Sequence, residues 1–196
     1  QAIRIAHKDA HNTVAAPKKS KTKASITVEA ISAQPEFNIF VYCELSGETR
    51  LEHDLLEELE PRFDNWSENY LKAYKITDPD APGASKNGGG HIIIWLEEPV
   101  EDEIEGIWQD SPSAGMAFHN LAIHMVMSAA QNLIPELADK GCAPLPHPSK
   151  GIIQAFEDPG LTRNPDGTVS RHFAVVTRLS FSAGCSATRR LISSTA

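Results

Sequence analysis

The sequence predicts an α+β fold: a mostly antiparallel sheet of about five strands packed against one long helix, with a helical insertion and an extended N-terminal arm. Three observations predict it. His91-Ile-Ile-Ile-Trp-Leu-Glu97 puts three isoleucines in a row, the pattern of a strand buried on both faces and therefore central. Residues 113–138 carry two apolar stripes at helical spacing. Segments rich in β-branched residues recur on either side of these elements and are separated by Gly, Pro and Asn-Pro-Asp-Gly turn signals.

Taken in order, residues 1–13 suit a short helix, and Val14 to Lys23 (VAAPKKSKTK) an extended polar arm. Ser25 to Ile31 has the composition of a strand, and Ser32-Ala-Gln-Pro35 breaks it. In Glu36 to Leu45, Phe37, Ile39, Val41, Cys43 and Leu45 alternate, which predicts a second strand; Phe40 and Tyr42 point to its other face, and Gly47 ends it. Residues 49–60 are helical in composition, with Leu51, Leu55, Leu56 and Leu59 as the apolar stripe. Pro61 either stops that helix or starts the next, whose stripe would be Trp66, Tyr70, Ala73 and Tyr74. Asp78 to Gly90 is a long glycine-rich loop.

After the central strand, Pro99 stops the sheet and Glu101 to Asp110 suits a short acidic helix. Ser111 or Ser113 would cap the long helix, which continues to about Ala138 and is closed by Gly141. Phe118, Leu121, Met125, Ala129 and Leu133 form one stripe; Ile123, Val126, Ala130 and Ile134 form another. A helix apolar nearly all round is predicted to lie between the sheet and a second partner, such as another subunit. Gly151 to Phe156 and His172 to Phe181 are predicted to pair as an antiparallel hairpin across Asn164-Pro-Asp-Gly167. The domain plan is a basic arm over 1–24, one α+β domain over 25–185 and a tail over 186–196.

Composition narrows function less than it narrows fold. With 41% hydrophobic and 22% charged residues the chain can bury a core without a metal or disulfide framework. Cys43, Cys142 and Cys185, odd in number and widely spaced, suit reduced thiols. No apolar run reaches the ~18–20 residues needed to span a bilayer, and no basic-then-apolar leader is present. The expectation is a cytoplasmic or virion protein, neither membrane-bound nor secreted.

The charge is uneven. Residues 1–24 hold six Lys and Arg against Asp9, a net of +5, which leaves −13 on the remainder of a chain whose total is −8. Glu48 to Glu68 and Glu97 to Asp110 are the acidic clusters. A basic arm on an acidic body either folds over its own domain or lies along the acidic face of a neighbouring copy. The contact residues expected from this are Lys18, Lys19, Lys21 and Lys23 against Glu101, Asp102, Glu103 and Glu105, with Phe118 and Met125 offered by the long helix.

No catalytic, cofactor or metal residue is expected. His119 and His124 are five residues apart, about 140° around a helix, whereas a helical zinc pair needs i and i+4. They suit hydrogen bonds inside a core or interface. Cys142 follows a helix C-terminus, the end that does not stabilise a thiolate. The glycine-rich loop 83–90 has Ser-Lys-Asn where a phosphate loop has Gly-Lys-Ser/Thr, and it precedes a strand rather than a helix. The arm has lysines but no interleaved aromatics, and the acidic body repels a duplex, so nucleic acid is not an expected partner.

The order of elements from residue 91, ending in Val175-Val-Thr-Arg-Leu-Ser-Phe181, with Pro35-Glu-Phe-Asn-Ile-Phe-Val-Tyr42 as the sheet edge, resembles the tail-terminator and tail-completion subunits of tailed bacteriophages. The resemblance lies in element order and carries over no functional residue. It implies a non-enzymatic ring subunit whose partners are copies of itself and other structural proteins. The expected function is thus a homo-oligomeric assembly subunit. The alternative is a small cytosolic enzyme, a metal-dependent or acid–base hydrolase, with its site near the His91 strand and the 113–138 helix.

Overall fold

The computed structural model describes residues 25–47, 53–78, 89–140, 150–162, 164 and 169–178. The basic arm with Lys18, Lys19, Lys21 and Lys23, the loop 79–88, Cys142 and Cys185 lie outside the described residues. In chain order the elements are β1 (Thr27–Ala30), α1 (Ile39–Ser46), α2 (His53–Asn69), β2 (Leu71–Asp78), β3 (Gly89–Leu96), α3 (Glu98–Asp110), α4 (Pro112–Leu133), α5 (Glu136–Lys140), α6 (Lys150–Ala155) and β4 (Ala174–Arg178). Among the described residues this is an α+β fold with a four-stranded sheet, ordered β1-β2-β3-β4, antiparallel at every pairing.

The isoleucine run explains the layering. Alternation along β3 sends Ile92, Ile94 and Leu96 into a large core with Leu59, Phe63, Trp66, Phe118, Leu121 and Met125. It sends Ile93 and Trp95 into a smaller core on the opposite face, with Ile76, Ile152, Phe156 and Leu161. Helices α1 to α4 therefore cover one face and α6 the other. Tyr74 stacks on Trp95 across the β2–β3 pair, with ring centroids 5.4 Å apart.

Several expected elements take another form. The alternation of residues 36–45 predicts a strand; residues 39–46 are instead helix α1. The Asn38 side chain accepts from the amides of Phe40 and Val41, and Gly47 ends the helix at φ 70°. Because both odd and even positions of this segment are apolar, period two and period 3.6 fit it equally well. The segment is therefore not the sheet edge on which the phage-tail resemblance drew.

Residues 53–69 form one helix through Pro61, and not two helices meeting there. Pro61 and Glu57 are exposed, so the carbonyl that loses its amide partner faces solvent. The predicted stripe Trp66, Tyr70, Ala73, Tyr74 is split between two elements: Trp66 ends the buried side of α2, and residues 71–78 are strand β2. Its odd positions, such as Ala73, face the large core, and its even positions Tyr74 and Ile76 face the small one.

Helix α4 stops at Leu133, earlier than the predicted Ala138. Pro135 has no amide and disfavours helical geometry at Ile134, which takes φ −137° and ψ 85°. Residues 150–155 are helix α6, not a hairpin strand, because Ile152, Ala155 and Phe156 bury at i, i+3 and i+4. The antiparallel partner of β4 is instead β3. The capping serine of α4 is Ser111, whose side chain accepts from the Ala114 amide.

Candidate functional site

At about 100° per residue, Phe40, Val41, Glu44 and Leu45 share one arc of α1, and Ile39, Tyr42, Cys43 and Ser46 share the opposite arc. The second arc is packed on the chain, with Tyr42 fully buried and Ile39 and Cys43 against the large core. The first arc is open: Phe40 is 83% exposed, Val41 42% and Leu45 39%. Single exposed apolar residues are ordinary on a protein surface. Three on one arc of an eight-residue helix, with only Glu44 among them, form a patch.

What holds α1 in place is a row of polar side chains on α4. His124 Nε2 accepts from the Asn38 amide at 3.2 Å. One turn on, Ser128 Oγ accepts from the Glu36 amide at 2.8 Å and donates to the Glu36 carbonyl at 3.0 Å. One turn further, Asn132 Nδ2 donates to the Gln34 carbonyl at 2.7 Å. Four residues of helix rise about 6 Å and two residues of extended chain about 6.6 Å. The two repeats nearly match, so residues 34–38 run antiparallel to α4 as a strand would along a sheet edge. Beyond them, Tyr42 Oη donates to the Ala117 carbonyl at 3.0 Å.

The His124 ring is caged by Phe37, Tyr42 and Phe63, at centroid distances of 6.0, 6.4 and 5.7 Å. Because Nε2 is an acceptor, the proton of the neutral ring sits on Nδ1, and that atom is buried with no hydrogen-bond partner among the described residues. Burial pushes the His124 pKa below its ordinary value.

The other two histidines lie elsewhere. His91 is on β3 opposite Ile76 and Arg178, facing the α6 side of the sheet. Its pKa is lowered by burial and then by the Arg178 guanidinium, with Asp78 opposing. His119 packs edge-on against Phe173 at 5.2 Å, and burial followed by His172 lowers its pKa. The sheet therefore separates His91 from His124, and the three histidines do not converge on one cleft.

Of the acids expected to meet a neighbour, two are engaged by other elements of the chain. Glu103 accepts from Trp66 Nε1 at 2.8 Å and pairs with Arg62 at 2.8 Å, and the Arg62 guanidinium lies 4.2 Å over the Phe118 ring. Glu101 accepts from the His172 amide at 2.8 Å and lies 3.5 Å from Arg171. Glu105 accepts from Gln109 one turn on, and Asp102 is exposed. Phe118 and Met125 are core residues, 2% and 0% exposed, and are not presented to a neighbour. The two apolar stripes of α4 pack into this chain's own large core, with Ile123 and Leu133 only partly buried. Between α2 and α3 an open hollow is lined by Glu57, Glu58, Pro61, Arg62, Asn65, Trp66 and Glu103.

The alternation of residues 36–45, which fits a strand, hides the α1 patch in the sequence. The signal that marks it in the sequence is Asn38 as a cap and Gly47 as a stop around a segment apolar on every side. Among the described residues, no group of three or more His, Cys, Asp or Glu is arranged to hold a metal ion, and no helix is long and apolar enough to cross a membrane. No family model matches the chain, and neither does any curated protein.

Proposed function

We propose that the chain is a structural, homo-oligomeric assembly subunit whose copies meet through the outer arc of α1. The observation that carries the proposal is Phe40, 83% exposed on a helix whose outer arc is apolar but for Glu44 and which is anchored on one side only. Burying one such side chain is worth about 1.5–3 kcal/mol, and aromatic residues are enriched at interface cores. A stable interface buries about 800 Å² on each partner, more than one short helix supplies. In this reading the acidic edge of α3, through Asp102 and Glu105, adds the charged rim. Lys18, Lys19, Lys21 and Lys23 of a neighbouring copy are its cationic counterpart.

A ring of the tail-completion or tail-terminator kind is the type of assembly this reading has in view. Its support is the α1 face, since residues 35–42 and 151–156 do not keep the element order of the resemblance. The competing hydrolase reading draws its site from the His91 strand and the histidines of α4 together, and His91 lies on the opposite side of the sheet from His124.

Light scattering on the full chain and on Phe40→Asp tests the proposal. The wild type is expected at a multiple of the monomer mass and the variant at the monomer mass. Loss of wild-type association in high salt would assign part of the contact to the charged rim. A wild type that is monomeric at every concentration and salt overturns the proposal.

A further inference from the structure

One of the hydrogen bonds that tie α1 to α4 is a bond that a single proton would remove. The Asn38 amide donates to His124 Nε2, and Asn38 is also the residue whose side chain caps α1. Protonating Nε2 would replace an acceptor by a donor and set two N–H groups against each other. The ring offers no escape within its cage. Phe37, Tyr42 and Phe63 present aromatic surface to it, and Nδ1 already carries a proton with no hydrogen-bond partner among the described residues. An imidazolium here would have two buried donors and no oxygen or nitrogen acceptor for them among the described residues.

Among the described residues, no ionised carboxylate is placed to offset the charge. From α1, the ionisable side chain in contact is Tyr42, and its hydroxyl is committed to the Ala117 carbonyl. From the extended segment, Glu36 is exposed, and it is its main chain that α4 grips, through Ser128. From α2, the contact is the Phe63 ring. Burial depresses the His124 pKa, and among the described residues no carboxylate raises it.

We propose that His124 is a proton-operated latch: while neutral it holds residues 34–38 and α1 against α4, and on protonation it releases them. The latch stands on the hydrogen bond and the cage. Its consequence, acid control over the contact face, rests on reading α1 as the assembly surface. Release would take up one proton per chain. Below the ordinary imidazole value of 6.5, the released population therefore grows about tenfold per pH unit until the folded value is passed.

Hydrogen exchange on the full chain between pH 7.5 and 5.0, expressed as protection relative to the intrinsic rate at each pH, tests the latch. Amides 38–46 are expected to be less protected than those of β3 at every pH, and to lose protection about tenfold per pH unit below ~6.5. His124→Gln, which keeps a neutral acceptor, is expected to abolish that slope, and His91→Gln to leave it. Should His124→Gln fail to fold, the wild-type His124 imidazole is followed by NMR and must titrate together with the loss of protection. Protection of 38–46 that ignores pH, that tracks β3 throughout, or that keeps its slope in His124→Gln overturns the latch. Light scattering on the same samples separates the two ideas. A pH-dependent opening in a chain that stays monomeric keeps the latch and sinks the assembly reading, whereas association without opening does the reverse.

Discussion

Asn38 and His124, 86 residues apart in the chain, are joined by a hydrogen bond of 3.2 Å from the main-chain amide of one to the ring of the other. This contact begins a ladder in which His124, Ser128 and Asn132, each four residues apart, grip Asn38, Glu36 and Gln34, each two residues apart. A helix and an extended segment share this spacing closely enough for side chains to do what a neighbouring strand would do.

Ser128 is the ladder's middle rung and makes two bonds to Glu36. Ser128→Ala is expected to cost about 1–3 kcal/mol, because it strands the Glu36 amide and carbonyl in a part-buried position. Asn132→Ala, at the exposed end, is expected to cost less than about 1 kcal/mol. Urea unfolding of both variants gives the difference.

Among the acids of α3, neighbours in sequence differ in what they hold. Glu103→Ala removes the acceptor of Trp66 Nε1 and one of the two carboxylates on Arg62, for a loss of about 1–2 kcal/mol. Asp102→Ala is expected within about 0.5 kcal/mol of wild type. Equal effects at the two positions would contradict the assignment of Glu103 to an internal bridge.

Two helical glycines predict opposite signs. A Cβ at Gly106 on α3 meets nothing within 4 Å, so Gly106→Ala is expected to stabilise by about 0.5–1 kcal/mol through helix propensity. A Cβ at Gly115 on α4 would lie 2.6 Å from Trp108 Cδ2 and 3.0 Å from Trp108 Cα. Since the Trp108 main chain cannot swing aside, Gly115→Ala is expected to destabilise by about 1–3 kcal/mol despite the same propensity gain. Thermal melts of the two variants, read against wild type, check the pair.

The histidines set the acid limit. His91, His119 and His124 all have folded pKa values below the ordinary 6.5. The unfolded chain therefore binds more protons than the folded one as pH falls through 6.5, and stability declines with falling pH from there until each folded value is passed. Unfolding free energies measured from pH 8 to pH 5 are expected to be flat above about 7 and to slope downward below it. The slope is expected to be shallower in His91→Gln and in His124→Gln. A profile flat to pH 5 would contradict the burial of these rings.

What the sequence by itself determined lies where a segment carries its own instruction. Three isoleucines in a row made β3 central whatever its neighbours, Ser111 or Ser113 ahead of the apolar stripes marked the start of α4, and the acids after Glu97 marked α3 as a helix with a wet face. Residues 39–46, 71–78 and 150–155 carry no such instruction, because short runs apolar at both odd and even positions satisfy a strand and a helix alike. Tertiary partners decided them: the α4 ladder and the Asn38 cap for α1, pairing with β3 for β2, and the small core for α6.

The candidate surface divides in the same way. That Phe118 and Met125 are apolar was legible, but that this chain's own α2 and sheet cover them, while Phe40 on α1 is left open, depends on contacts between residues far apart in sequence. Local pattern fixes which side chains avoid water. Only the packed chain decides which of them its own atoms have already covered.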